Sequence, residues 1–109
     1  MKKIQITVLK TAVFEDLQVY SEQKLVKCPR FAEGQVFNTT HEKPVGFCDW
    51  AWKDIHPIVT AFITGGNFSK GLFDGWMKDE NTMIACCTDG MRPVIFEIKR
   101  ILSDAARQS

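Results

Sequence analysis

The side chains able to do chemistry in this chain are four cysteines, two histidines and a few charges set among apolar residues. In the stretch Ile84–Phe96, IACCTDGMRPVIF, Cys86 and Cys87 stand side by side, with Asp89-Gly90 and Arg92 following. Neighbours in a strand point to opposite faces, so these two thiols are not a paired site. Ile84 and Cys86 share one side, and Met83, Ala85 and Cys87 the other. Free cysteine is among the most buried residue types, so at least one of the two reads as core. Asp89-Gly90 supplies hairpin-turn chemistry, the Asp tolerating turn conformations and the Gly a positive φ. Arg92 precedes Pro93, which restricts it to extended backbone and gives its guanidinium a consistent aim. Such an arginine suits a carboxylate or phosphate, or an ion pair with Asp89 or Asp49.

Cys48 directly precedes Asp49, which reads as a helix N-cap. Oriented N–H groups at a helix start favour a thiolate, and the neighbouring carboxylate opposes it. Cys28 lies in an irregular segment ahead of Pro29. No cysteine has CxxC spacing, so a zinc site would need Cys28, Cys48 and Cys86 or Cys87, with His41 or His56 as the fourth ligand. His41 otherwise reads as a solvated loop residue, and His56 as a polar helix-face residue or a general base. GGNF, at 65–68, has too few glycines for a phosphate loop and lacks the Lys-Ser/Thr that would follow. No motif names a cofactor.

These residues must be positioned by a small set of elements. Ile4, Ile6 and Val8 alternate with Gln5, Thr7 and Leu9, the pattern of a half-buried strand from 3 to 11. Residues 14–27 carry an apolar spacing suited to a short amphipathic helix without a strong cap. Pro29 and Gly34 mark a turn before a strand over 35–39. A helix is expected over 50–64, stopped by Gly65-Gly66, with Trp52, Ile55, Val59, Phe62 and Ile63 on one face. Pro57 should bend that helix or re-start it, with Asp54 as a fresh cap. The loop 67–77 holds Phe68, Phe73 and Trp76, and strands over 82–88 and 93–101 end the pattern. Residues 103–109 are expected to fray. No βαβα alternation is present. The expected class is therefore α+β: a small antiparallel sheet or partly closed barrel of about four strands, with one main helix packed on it.

The 109 residues make one domain, 45% hydrophobic and 25% charged, with eight Phe and three Trp. The formal net charge is +1 and the basic residues are scattered, which argues against a nucleic-acid surface. No apolar run approaches the roughly 18 residues of a membrane helix. Gln5, Thr7 and Lys10 interrupt what would be a signal-peptide core. The expected location is the cytoplasm, and the expected thiol state is reduced.

Taken together, the segments Ile4–Lys10, Cys28–Phe37 (CPxFxEGQxF), Lys43–Trp52 (KPxGFCDWAW), Gly65–Phe68 (GGNF), Trp76–Asp79 (WMKD) and Ala85–Phe96 (ACCTDGxRPVIF) resemble a family of short uncharacterised prokaryotic proteins. The resemblance covers nearly all of the chain except its tail and implies no particular activity, cofactor or catalytic residue. Pro57 and the extra SKGLFDG between GGNF and WMKD depart from the pattern.

Three functions compete on these residues. The first is a small-molecule or anion site, with or without catalysis, between the helix start and the hairpin. Its candidate catalytic residues are Cys48, Cys86, Asp89 and Arg92, and its candidate ligand-binding residues Asp49, Trp52 and Arg92. The second is a thiol-based metal or redox protein using Cys28, Cys48 and Cys86. The third is an accessory subunit that self-associates as a homo-oligomer through the aromatic loop 67–77.

Overall fold

A computed structural model of the chain describes residues 3–102; the expected fraying of 103–109 concerns residues outside that range. Four antiparallel strands, β1 (Lys3–Thr11), β2 (Val36–Thr39), β3 (Thr82–Cys86) and β4 (Val94–Ile101), form one sheet in the order β2-β1-β4-β3. One main helix, α1 (Asp49–Ile63), packs on it. The architecture is α+β with an open sheet, as the strand and helix patterns predict.

The buried face of the sheet follows from alternation. Ile4, Ile6 and Val8 on β1 and Val94, Phe96 and Ile98 on β4 are all sealed from solvent. Pairing of Met83 with Ile98 and Ala85 with Phe96 carries the same face onto β3. The register slips between Val8 and Lys10, where Leu9 bulges outward. This one-residue shift makes Thr11, rather than Lys10, the buried partner of Val94. The bulge faces a tight turn in the segment before β2. Gly34, at φ 89°, donates its N–H to Val8 O at 2.8 Å, and Glu33 accepts the Thr11 N–H at 3.0 Å. Phe31 is thereby seated in the core and Cys28 against it.

A second glycine turn delivers the start of the helix. Phe47 N–H bonds Pro44 O at 3.1 Å, with Gly46 at φ 81° completing the turn, so Val45 is exposed at the tip and Phe47 enters the core. On α1, Ala51, Ile55, Val59 and Phe62 are buried, and Trp52 and Ile63 pack at the edge of this stripe. The expected stop holds in detail: Gly65 takes φ 97°, and Gly66 N–H reaches back to Ala61 O at 2.7 Å, a Schellman end.

Three local expectations need correction. The helix runs uninterrupted through Pro57 rather than re-starting at Asp54. Lys53, whose carbonyl loses its intrahelical donor, and Pro57 are both on the exposed side, where water can take the donor's place. Asp49 is the first helical residue, and Cys48 is the N-cap, with no side-chain capping bond. Residues 14–27 form no α-helix; a 3-10 helix spans Glu15–Tyr20, with Val19 and Tyr20 exposed and none of its residues buried.

The loop after α1 is folded on itself. Asn67 Oδ1 accepts N–H groups from Ser69 and Lys70, and Phe68 lies between the rings of Phe62 and Phe73 at 5.5 and 5.1 Å. Leu72 and Trp76 are left exposed.

Candidate functional site

A cavity of about 430 Å³ opens between the start of α1, the segment before β2 and the hairpin loop joining β3 to β4. From α1 come Cys48, Trp50 and Ala51; from the earlier segment Cys28, Arg30 and Phe31; from the hairpin Cys87, Asp89 and Arg92, with Thr88 and Val94 beside them. Each group is placed by features already described: the glycine turn at 44–47, the turn at 32–35 and the parity of β3.

The hairpin loop is organised by one carboxylate. Asp89 Oδ1 accepts the N–H groups of Met91 and Arg92 at 3.0 and 3.2 Å, and Oδ2 accepts Arg92 Nε–H at 3.0 Å. Gly90 does not adopt the positive φ expected of it, and the strands end short of the expected 82–88 and 93–101: β3 stops at Cys86 and β4 starts at Val94, so the connection is longer than the four residues 89–92. The bend is held by the Asp89 side chain. Below the loop, Cys87 N–H bonds Val94 O at 3.1 Å, while Cys87 Sγ accepts the Val94 N–H at 3.4 Å. Arg92 spends only Nε on Asp89, and its two terminal nitrogens have no hydrogen-bond partner among the described residues. Arg30, exposed at the rim, has no carboxylate in salt-bridge contact among the described residues.

Partial burial pushes the Asp89 carboxyl up, but the hydrogen bonds from Met91 and Arg92 outweigh it and leave the group below the ordinary carboxylate value. A depressed folded-state pKa contributes stability that is present above the unfolded value and lost as the pH falls through the folded one. The hairpin loop should therefore keep its order at pH 5 and lose it only below about pH 3.9. A carboxyl ¹³C titration checks this: Asp89 should titrate below ordinary aspartates and move upward in Arg92→Gln. A midpoint at or above the ordinary value would contradict the clamp.

Of the residues singled out by sequence, Cys28, Cys48, Asp89 and Arg92 line this one cavity, whereas Asp49, Trp52 and Cys86 do not. Asp49 is turned outward to Lys43, whose hydrogen bond and charge lower its pKa. Trp52 packs between Phe47 and His56, at 5.9 and 5.2 Å. Cys86 lies on the opposite side of β3 from Cys87 and donates its thiol hydrogen to Cys87 O at 3.1 Å. Burial first, then Cys87 and Asp54, raise its pKa, so it is a protonated thiol rather than a nucleophile at neutral pH. All four cysteines are free, and among the described residues no group of three or more Cys, His, Asp or Glu is arranged to hold a metal ion. Cys28 and Cys48 thus share a cavity without forming a metal cage with Cys86. His41 is not isolated in solvent: its ring meets His56, away from the cavity.

Besides the apolar lining of Phe31, Trp50, Ala51 and Val94 and the Thr88 beside it, sequence reasoning did not place Arg30 or Cys87 in the cavity, nor give Arg100 its structural role. Arg30 had a signal in its place directly after Cys28-Pro29, the turn that swings it to the rim. Cys87 had one in its shared parity with Met83 and Ala85. Arg100 had the parity of Ile98 and Phe96, but an arginine in that series gives no local sign of what it meets. No helix among the described residues is long and apolar enough to cross a membrane. No family model, curated protein or solved structure matches the chain.

Proposed function

We propose that this protein binds a small anionic ligand, a carboxylate or phosphate carried on an apolar body, in the cavity between the start of α1 and the hairpin loop. The observation that carries the reading is Arg92: a guanidinium oriented through Nε by Asp89, with both terminal nitrogens unpartnered among the described residues, on an otherwise apolar wall. Those two nitrogens match the two oxygens of a carboxylate or phosphate edge. Arg30 at the rim adds a second positive charge. The first-turn amides of α1 add favourable dipoles, since the first intrahelical bond here is Trp52 N–H to Cys48 O. Phe31, Trp50, Ala51 and Val94 supply the apolar contact for the ligand body. A cavity of about 430 Å³ is in the range for small ligands.

No reaction is assigned. Asp89 is committed to Arg92 and to two backbone amides, which leaves it poorly placed to take a substrate proton. Neither histidine lines the cavity. The reading carries with it a cytoplasmic location and kinship with the short prokaryotic family named above.

The test is a titration of the intact protein with inorganic phosphate and with benzoate, followed by amide and guanidinium shifts. Benzoate should perturb Trp50, Ala51 and Arg92 together, and Arg92→Gln should weaken it about tenfold or more, since a charge-assisted hydrogen bond is worth about 1.5–3 kcal/mol. Equal binding by parent and variant, or shifts confined to residues outside the cavity, would sink the proposal.

A second reading has its own observation, the three thiols of Cys28, Cys48 and Cys87 lining one cavity. It makes the ligand a thiol-reactive or soft species rather than an anion. Replacing all three by serine distinguishes the two, because it would abolish thiol chemistry but leave Arg92 and benzoate binding in place.

A further inference from the structure

We propose that His41 and His56 form a two-histidine site for a borderline divalent transition cation of the Zn²⁺, Co²⁺ and Ni²⁺ class. This site is separate from the cavity, which neither residue lines. His41 comes from the loop between β2 and α1, His56 from the third turn of the helix, and their Nε2 atoms stand 3.2 Å apart. Two imidazole nitrogens do not approach so closely with both lone pairs facing and nothing between them. Either one ring donates a proton to the other, or both give their lone pairs to a cation.

The ring placement fits a shared cation as well as a bent hydrogen bond. A head-on hydrogen bond, with collinear ring axes, would put the centroids about 5.5 Å apart at this nitrogen separation. They are 4.9 Å apart and the planes are tilted by 53°, so the two ring axes do not both lie along the line joining the nitrogens. An ion about 2.1 Å from each nitrogen, with an angle of about 100° between the bonds, would leave nitrogens about 3.2 Å and centroids about 5.0 Å apart. Both separations correspond to those found. Neither Nδ1 has a hydrogen-bond partner among the described residues, so with Nε2 on a metal each Nδ1–H would be left to water. Trp52, 5.2 Å from the His56 ring, limits the directions that ring can take.

The ligand class follows from the donors. Imidazole suits Zn²⁺, Ni²⁺, Cu²⁺ and Co²⁺, whereas Mg²⁺ and Ca²⁺ prefer oxygen. Two protein donors leave the remaining coordination positions to water or to an exchangeable external ligand, so this is an open site, in contrast to closed structural zinc sites. Occupation would also tie the loop carrying His41 to α1 across the stretch that seats Phe47.

The experiment uses the full chain without an affinity tag, titrated with Co²⁺ under anaerobic, reducing conditions. The expected result is one equivalent bound at micromolar concentration, with a visible d–d spectrum and no sulfur-to-cobalt charge-transfer band in the near ultraviolet. His41→Ala, at an exposed loop position, and His56→Asn should each weaken binding tenfold or more, while Cys48→Ser should not change it. Zn²⁺ should displace the Co²⁺, and Mg²⁺ in large excess should not. The proposal is overturned by no binding below 1 mM, by a sulfur charge-transfer band, or by undiminished binding in His41→Ala.

Discussion

Replacing Arg100 by leucine is expected to destabilise the fold by about 3–5 kcal/mol, more than any other charge removal in this chain. Arg100 is only 8% exposed, yet no carboxylate is in salt-bridge contact with it among the described residues. Its guanidinium is satisfied by carbonyls instead. Nη1 donates to Phe62 O at 2.8 Å and Gly66 O at 2.7 Å, Nη2 to Glu80 O at 3.0 Å, and Nε to Asn81 Oδ1 at 2.9 Å. Two of these acceptors sit at the C-terminal end of α1, where the helix dipole favours a positive charge. The guanidinium also lies 5.0 Å from the centre of the Phe62 ring.

One side chain thus joins the end of the helix, the 79–81 turn and the last strand. Leucine fills a similar stem volume but takes the guanidinium donors from three backbone carbonyls and an amide oxygen, of which Phe62 O keeps the Gly65 N–H. At about 4–8 °C per kcal/mol for a domain of this size, the melting temperature should fall by more than 10 °C. Lysine keeps the charge but offers no planar fork, so Arg100→Lys should recover only part of the loss. A melting temperature for Arg100→Leu within about 3 °C of the parent would show that water replaces these bonds cheaply.

Phe47→Ala should cost about 3–5 kcal/mol. Phe47 is 3% exposed and its ring meets four others: Phe37 at 4.9 Å, Phe31 at 5.1 Å, Phe96 at 5.5 Å and Trp52 at 5.9 Å. Those rings come from the turn before β2, from β2, from β4 and from α1, so no single backbone shift can close the space left behind. Phe47→Leu, which keeps most of the volume, should cost clearly less. Trp50→Ala makes the contrast, because Trp50 is 65% exposed and a surface change of that kind stays near 0.5 kcal/mol. Urea unfolding midpoints with unchanged slopes would measure all three. Similar midpoints for Phe47→Ala and Trp50→Ala would mean that the aromatic cluster does not hold the helix to the sheet.

The fold was legible where the signal is short in range. Alternation in Ile4, Ile6 and Val8 predicts β1, and the apolar spacing through Ile55, Val59 and Phe62 predicts α1 with its glycine stop. The errors also have local causes. Pro57 argued for a bend or a re-start, but the helix does not re-start, because propensity is a weak prior against a buried stripe whose apolar side chains continue past it. Asp49 looked like a better cap than Cys48 by residue type. Its carboxylate instead pairs with Lys43, and cap position is set by where the Pro44–Phe47 turn releases the chain.

The candidate site was legible as a neighbourhood and not as a residue list. Helix start and hairpin loop do face one another, because α1 packs on the same sheet face that β3 and β4 share. The membership of Cys87 rather than Cys86 depends on which face of β3 is inward. Local alternation separates the two cysteines but cannot choose between them, and the pairing of Ala85 with the buried Phe96 makes the choice.

By itself the sequence determined the α+β class, the positions of the main strands and the helix, and the separation of the two hairpin thiols. Each rests on forces between residues a few positions apart: pleat, helical period, and the backbone freedom of glycine. Tertiary structure alone decided that Arg100 would close the helix 38 residues before it, that the Asp89–Arg92 pair would face a cavity, and that His41 would meet His56. Two of these meetings, at Arg100 and at His41, join residues distant in the chain, and their geometry is set by sheet register and by the helix laid across it. The third lies within one loop, where a side chain took over the work expected of a glycine's positive φ.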